Sequence, residues 1–299
     1  MTPAVSPARN RELSLLVEQV ALPFRSRAWR GSSGSWQGQN QGSSIDFQDH
    51  RAYVPGDDPR HLDWAAYART NHYTMKLFRE EVSPRLDVAL DVSRSMALTP
   101  EKEARGLALF GLVLRAALRD SISARAYIVQ AAGQWQQLEI PAALALEKMP
   151  EPPSRRPPTE AQHAVAAVLP LSEIPWRNGS LRVLISDLLL PQSPEQVLNA
   201  IAREHGRAVI LAPYLQAEAE PDWSGNLELH DCESTQVRQQ RVEPFLLERY
   251  RKSYLRHFEL WQVEARRRSV PLARISCELP LAAAVRQQAL AAGVFELRH

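Results

Sequence analysis

In "ALDVSRSMAL", residues 89 to 98, an apolar run releases Asp91, Ser93 and Ser95 in quick succession just before a helical pattern begins. One carboxylate and two hydroxyls on a tight turn are hard oxygen donors, the kind that suits Mg2+ or Mn2+ and not the softer metals. The same residues also suit an ordinary helix cap, because Asp and Ser side chains accept hydrogen bonds from the free N–H groups of a first helical turn. A second carboxylate, Asp187, closes the apolar run "LRVLIS" at 181 to 186. If both runs are strands of one open parallel sheet, both aspartates emerge in the crevice beyond the strands' carboxyl ends, where such sheets bind ligands.

Catalysis asks for more than this. A Mg2+-dependent phosphoryl transfer or hydrolysis, with Asp91 or Asp187 on the metal and a serine as nucleophile, needs a general base or a phosphate cradle. The chain has no G-x-x-x-x-G-K-[ST] loop, no H-E-x-x-H and no G-x-S-x-G. His50, His61, His72 and His163 are scattered over loops and helix starts, and none is paired at ligand spacing. A non-enzymatic binding role is the expectation.

The elements that must position these residues alternate. From Leu86 onward the pattern runs strand, helix, strand, helix, which predicts a doubly wound, mostly parallel sheet covered on both faces. The strands are expected at 86–91, 123–129, 181–186 and 207–213, with a late one at 270–276. Between them, Leu107, Phe110, Leu114 and Ala117 share one helical stripe, and "EAQHAVAAVLPL" and "PEQVLNAIAREHG" read as further helices, the last stopped by Gly206. Residues 226–242 suggest a hairpin insertion, and 245–269 a long helix with Tyr250, Tyr254, Phe258, Trp261 and Ala265 on one core-facing stripe. Upstream, Asn10 is the expected cap of a helix over 11–21, and the glycine-, serine- and glutamine-rich run at 31–44 reads as a mobile loop.

Composition narrows the class. At 299 residues and 44% hydrophobic content the chain can bury a sizeable core. Basic residues exceed acidic ones by only two, so net charge points neither to nucleic acid nor to an anionic membrane. Cys232 and Cys277 stand far apart without metal spacing and read as reduced cysteines. No signal peptide or membrane span is recognisable, and a cytoplasmic location is expected.

The segment from Ile45 to Glu81 is of another character. Arg51, Arg60 and Arg69 alternate with Asp57, Asp58 and Asp63 around a Pro55-Gly56 turn, which predicts a salt-bridged network fixing the segment to the rest of the protein. Together with "DVALDVSRSM" this stretch resembles the bacterial family known as domain of unknown function 58. The family's hallmark is met at Arg51, Tyr53, Pro55, Gly56, Asp57, Asp58, Arg60, Asp63 and Trp64, followed by Arg69 and Lys76. D-x-S-x-S after a strand is also similar to the metal-ion-dependent adhesion site of von Willebrand factor A domains. That resemblance implies a metal set of Asp91, Ser93, Ser95, Thr159 and Asp187, with Thr159 standing behind two prolines where such domains usually have a threonine after glycine. It further implies an N-terminal extension over 1–83 and an A-type domain over 84–299. The implied function is Mg2+- or Mn2+-dependent engagement of a partner's carboxylate, the partner being a MoxR-type AAA+ ATPase or another A-domain protein. The alternatives are a scaffold whose metal site has decayed, or a Mg2+-dependent hydrolase.

Overall fold

The structure is a computed structural model, and it describes residues 7–24, 33–41, 47–55, 57–82, 84–130, 133–146, 149, 168–233 and 236–298. The chain divides into two compact units, one of residues 1–23 and 85–299 and the other of residues 24–84. The expected division had grouped the first helix with the motif segment instead.

In chain order the first unit opens with α1 (Pro7–Val17) and β1 (Val20–Ala21). The second unit holds β2 (Ser33–Gln41), β3 (Phe47–Ala52), α2 (Trp64–Thr70) and β4 (Thr74–Val82). The first then resumes with β5 (Arg85–Asp91), α3 (Pro100–Arg119), β6 (Ser123–Gln130), β7 (Gln134–Leu138), α4 (Ile140–Leu144), β8 (Leu181–Ile185), α5 (Pro194–Ala202) and β9 (Arg207–Tyr214). It ends with α6 (Gln216–Ala219), β10 (Gly225–His230), β11 (Val237–Val242), α7 (Pro244–Arg267), β12 (Leu272–Ser276), α8 (Leu281–Ala284) and β13 (Glu296–Leu297).

The first unit is a mixed α/β body around a six-stranded sheet of order β12-β9-β8-β5-β6-β7. All neighbours are parallel except the edge pair β6–β7. Parallel strands need crossovers, and the covering helices bury both sheet faces, so β5 and β8 are mostly apolar and have no exposed residue, the charged Asp87, Asp91 and Arg182 included. From β5 the chain moves to β6 and β7 on one side, then returns to lay β8 on the other. The gap between the ends of β5 and β8 is therefore the switch point at which crossovers diverge, the place where sheets of this kind bind ligands.

The helices follow from their patterns. Thr99 caps α3 by accepting from the Lys102 N–H, and Pro100 stands at its first position. The expected stripe of Leu107, Phe110, Leu114 and Ala117 is buried, and so are most other faces of this helix, because α1 covers the side away from the sheet. On α7, Tyr254, Phe258, Trp261 and Ala265 are buried as their spacing predicts. The hairpin at 226–242 is present as the antiparallel pair β10–β11.

Three expectations need correction. The first helix begins at Pro7, so Asn10 lies inside it and not at its start; proline is suited to a first helical turn. The run expected as a mobile loop at 31–44 contains β2, paired antiparallel with β4. Ladder bonds join backbone to backbone, so a strand can form where composition offers little apolar signal. The antiparallel edge strand β7, "QWQQL", was not foreseen because it is largely exposed and carries no apolar alternation. The helix expected over "EAQHAVAAVLPL" lies mostly outside the described residues. No helix among the described residues is long and apolar enough to cross a membrane.

Candidate functional site at the switch point

Asp91 ends β5 fully buried, with Oδ1 accepting from the Ser93 N–H at 2.9 Å and Oδ2 from the Ser186 hydroxyl at 2.7 Å. The first bond bends the chain into a tight turn of the type Asp favours. It leaves the Ser93 and Ser95 hydroxyls side by side, with their oxygens 3.0 Å apart and both residues buried. A short 3-10 turn over Ser95–Ala97 follows, its side packed down by the buried Met96. On the neighbouring strand, Ser186 in turn accepts from the Leu188 N–H at 3.1 Å. Leu188, fully buried, sits at φ 62°, a left-handed conformation that costs a leucine about 1–2 kcal/mol. Its carbonyl accepts from Nε2 of His257 on α7 at 2.8 Å, so the strained turn is held from behind.

The electrostatics are unbalanced. Asp187 accepts from the Leu189 N–H at 3.0 Å through Oδ1 and from Lys102 Nζ at 2.7 Å through Oδ2. Lys102, wholly buried on α3, reaches Glu218 of α6 as well, at 2.5 Å. Burial disfavours its charge, but Asp187 and Glu218 outweigh that and hold its pKa above the usual lysine value. Asp91 has no such counterion: its bonds come from hydroxyl and amide. Burial first, and the charge of Asp187 second, push its carboxyl up to about 7. A further carboxylate stands at the mouth, where Glu233 Oε1 accepts from the Ser95 N–H at 2.7 Å.

The motif segment is a separate construction within the second unit. Arg51 grips Asp57 with two parallel bonds of 2.6 and 2.7 Å, and Asp57 also accepts from the Val54 N–H at 2.9 Å. Asp63 caps α2 by accepting from Ala65 and Ala66, each at 3.0 Å, while His50 lies 2.7 Å and Lys76 3.7 Å from the same carboxylate. Those bonds, the Ala66 amide first and His50 next, hold Asp63 down at about 2. Tyr67 and Tyr73 stack at 4.6 Å, Tyr53 lies 6.1 Å beyond, and Trp64 meets Tyr67 edge-on at 6.3 Å.

A family model described as "Protein of unknown function DUF58" matches residues 49–259, from the motif segment through the sheet to α7. The chain belongs to this family. Two similar relatives of this DUF58 protein are the uncharacterized proteins Rv1480 of Mycobacterium tuberculosis and Mb1516 of Mycobacterium bovis. Each is 28% identical over 225 residues, covering 69% of this chain and 67% of the relative. Among solved structures, the conserved hypothetical protein BatB from Bacteroides thetaiotaomicron aligns at 13% identity, over 70% of this chain and 98% of that one. Its TM-score of 0.35 is too low to bear on the fold.

In this DUF58 chain Asp91, Ser93, Ser95 and Asp187 meet at one crevice, and Thr159 lies outside the described residues. The donors at Asp91, Ser93 and Ser95 fit a hard divalent cation. An octahedron with bonds of about 2.1 Å has edges of about 3.0 Å, the order of the observed hydroxyl separation. Asp187 fits less simply, since one of its oxygens already carries an ammonium. No three His, Cys, Asp or Glu side chains among the described residues make a metal group, so a cation here would depend on the serines.

Among the described residues, the expected arginine network is realised at Arg51 and not at Arg60 or Arg69. Arg60 and Arg69 are exposed; Arg60 offers its backbone N–H to Asp58, and Arg69 turns Nε to the Ala65 carbonyl. At exposed positions an ion pair gains little for the side-chain order it demands. Sequence reasoning missed Ser186, Lys102, Glu218 and Glu233. Lys102 had a readable signal, since it falls in line with Gly106, Leu109 and Val113, where a buried face admits a lysine only with a partner. Glu233 had none, for it arrives from 138 residues away.

Proposed function

We propose that this DUF58 protein is a non-enzymatic binding module with a von Willebrand factor A-like sheet. It engages a carboxylate of a protein partner through Mg2+ or Mn2+ held at Asp91, Ser93 and Ser95, with Asp187 beside them. The observation that carries this reading is Asp91 itself, a fully buried carboxylate at the switch point, next to two hydroxyls and a second carboxylate and with no cation bonded to it among the described residues. Burying such a charge unpaired is costly, and a divalent ion removes the cost. When bound, the ion would supply an open coordination position for an incoming carboxylate. The chain's own residues shape that position: Ser186 and the Ser93 N–H orient Asp91, and the strained Leu188 turn fixes Ser186. No histidine bonds Ser93 or Ser95 among the described residues, which favours binding over hydrolysis. The family resemblance makes a MoxR-type AAA+ ATPase or another A-domain protein the expected class of partner.

Lys102 supports a second reading, a metal-free scaffold in which the ammonium on Asp187 and Glu218 is the permanent counterion. Titrating Mn2+ into the purified full-length chain and following it by electron paramagnetic resonance separates the two. Under the adhesion reading wild type takes up the ion, and Asp91→Ala and Ser95→Ala each bind it at least about tenfold more weakly, the loss of one ligand. Uptake that is absent in wild type, or equal in all three proteins, would leave the scaffold reading standing.

A further inference from the structure

The β10–β11 ladder ends at the pair His230–Val237, and nothing in the ladder directs the chain beyond it toward the central sheet. Yet Glu233, just past that pair, places its carboxylate 2.7 Å from the Ser95 amide. Two bonds at Asp231 accompany this reach: its Oδ1 accepts from the Glu233 N–H at 3.0 Å, and its N–H donates to the Gln236 carbonyl at 3.0 Å. Cys232 between them is half-buried, and its thiol is pushed up to about 11 by burial first, then by Glu233, Asp231 and Asp187. Along its length the hairpin is mostly exposed, so little apolar burial holds it there.

We propose that Glu233, just past β10, is a built-in occupant of this mouth, standing where a partner's carboxylate would arrive, and that a partner binds by displacing it. The proposal rests on the adhesion reading and adds its regulation. It follows from the chemistry in place. A carboxylate seated on a cation at Asp91, Ser93 and Ser95 would meet the Glu233 carboxylate already held on the Ser95 amide of the same turn, and two like charges so close repel, so the internal and external groups compete. The internal one has the advantage of tethering, and a partner's apparent affinity is reduced by the fraction of time the mouth is filled. A hairpin with few buried contacts can swing away at small cost to the fold.

The test uses the full-length chain with Mn2+ and fluorescein-labelled poly-L-glutamate as the acidic probe. It compares wild type, Glu233→Gln, Asp91→Ala, and Glu228→Gln as a control that removes an exposed charge from the same hairpin. Glu233→Gln is expected to bind the probe about tenfold more tightly than wild type, the scale of one lost charge-assisted bond. Glu228→Gln should match wild type, and Asp91→Ala should lose binding. Exchange of the Ser95 amide, read by NMR, should quicken in Glu233→Gln alone. Mn2+ uptake with equal probe binding by wild type and Glu233→Gln would overturn the occupant role and leave metal-dependent adhesion intact. Weaker probe binding by Glu233→Gln would overturn it too, making Glu233 part of the binding wall. If no variant takes up Mn2+ or probe, both readings fall together.

Discussion

Strand β5 buries two aspartates on one face, four residues apart, and its two ends treat them in opposite ways. Asp87, near the start, accepts from the Arg177 backbone N–H at 2.8 Å, from Arg177 Nε at 2.7 Å and from the Ser180 hydroxyl at 2.8 Å. A fully buried arginine, Arg182, backs this cluster and gives donors to the carbonyls of Ile201, Arg203 and Arg177. Gly206 is required there, because a Cβ would collide with the Arg182 guanidinium. Asp91, at the other end, is bonded by hydroxyls and an amide, with no cation bonded to it among the described residues, and faces the charge of Asp187. The same residue type, strand and burial thus yield a completed ion pair at one end and an uncompensated charge at the other. The first holds strand to loop; the second is what a cation-dependent site requires before the cation arrives.

The sharpest way to break that contrast is to remove each carboxylate. Asp87→Ala leaves the Arg177 guanidinium largely buried without its partner, and such a broken pair costs about 3–5 kcal/mol. A drop of that size should appear in the urea unfolding midpoint. A loss below about 1 kcal/mol would mean that the Asp87 cluster is not the anchor its bonds suggest.

Asp91→Asn should behave differently. The amide keeps the shape and an acceptor for the Ser93 N–H while removing a buried charge that Asp187 repels. In the presence of EDTA its stability at neutral pH should lie within about 1 kcal/mol of wild type, or above it. A loss as large as that of Asp87→Ala would show both carboxylates to be structural and would end the comparison.

How much of this was legible beforehand depends on how local each signal is. The central strands stood out as apolar runs because a parallel sheet buries both faces, and their ends placed Asp91 and Asp187 together before any coordinates. The edge strands β7 and β2 were hidden, since exposed or polar strands are held by backbone ladders that leave no apolar period. Within the site, the residues closest in sequence to Asp91 were readable from a single turn. Lys102 needed the helical phase of α3, and Glu218 and Glu233 needed the fold itself, since they reach the crevice from separate elements late in the chain. The motif arginines misled for a related reason: alternating charges read as a network, but among the described residues the exposed Arg60 and Arg69 form no ion pair, and the partly buried, geometrically matched pair Arg51–Asp57 does.

That pair offers a third treatment of an aspartate, and the smallest expected effect. Asp57 is only partly buried, and its carboxyl is lowered to about 2 by the bond from Arg51 first and the Val54 N–H second. Its folded pKa thus lies below the unfolded value of about 3.9, so its contribution to stability is present above that pH and is lost as pH falls through about 2. Solvent screening keeps the contribution small and salt-sensitive. An NMR titration of the Asp57 carboxyl should therefore show its midpoint near 2 in wild type and higher, toward the ordinary carboxylate range, in Arg51→Met. A midpoint unmoved by that substitution would assign the shift to the Val54 amide. The Arg51 fork would then be a consequence of the turn's geometry and no cause of it, and burial rather than charge pairing would be what separates the aspartates of this protein that matter from those that do not.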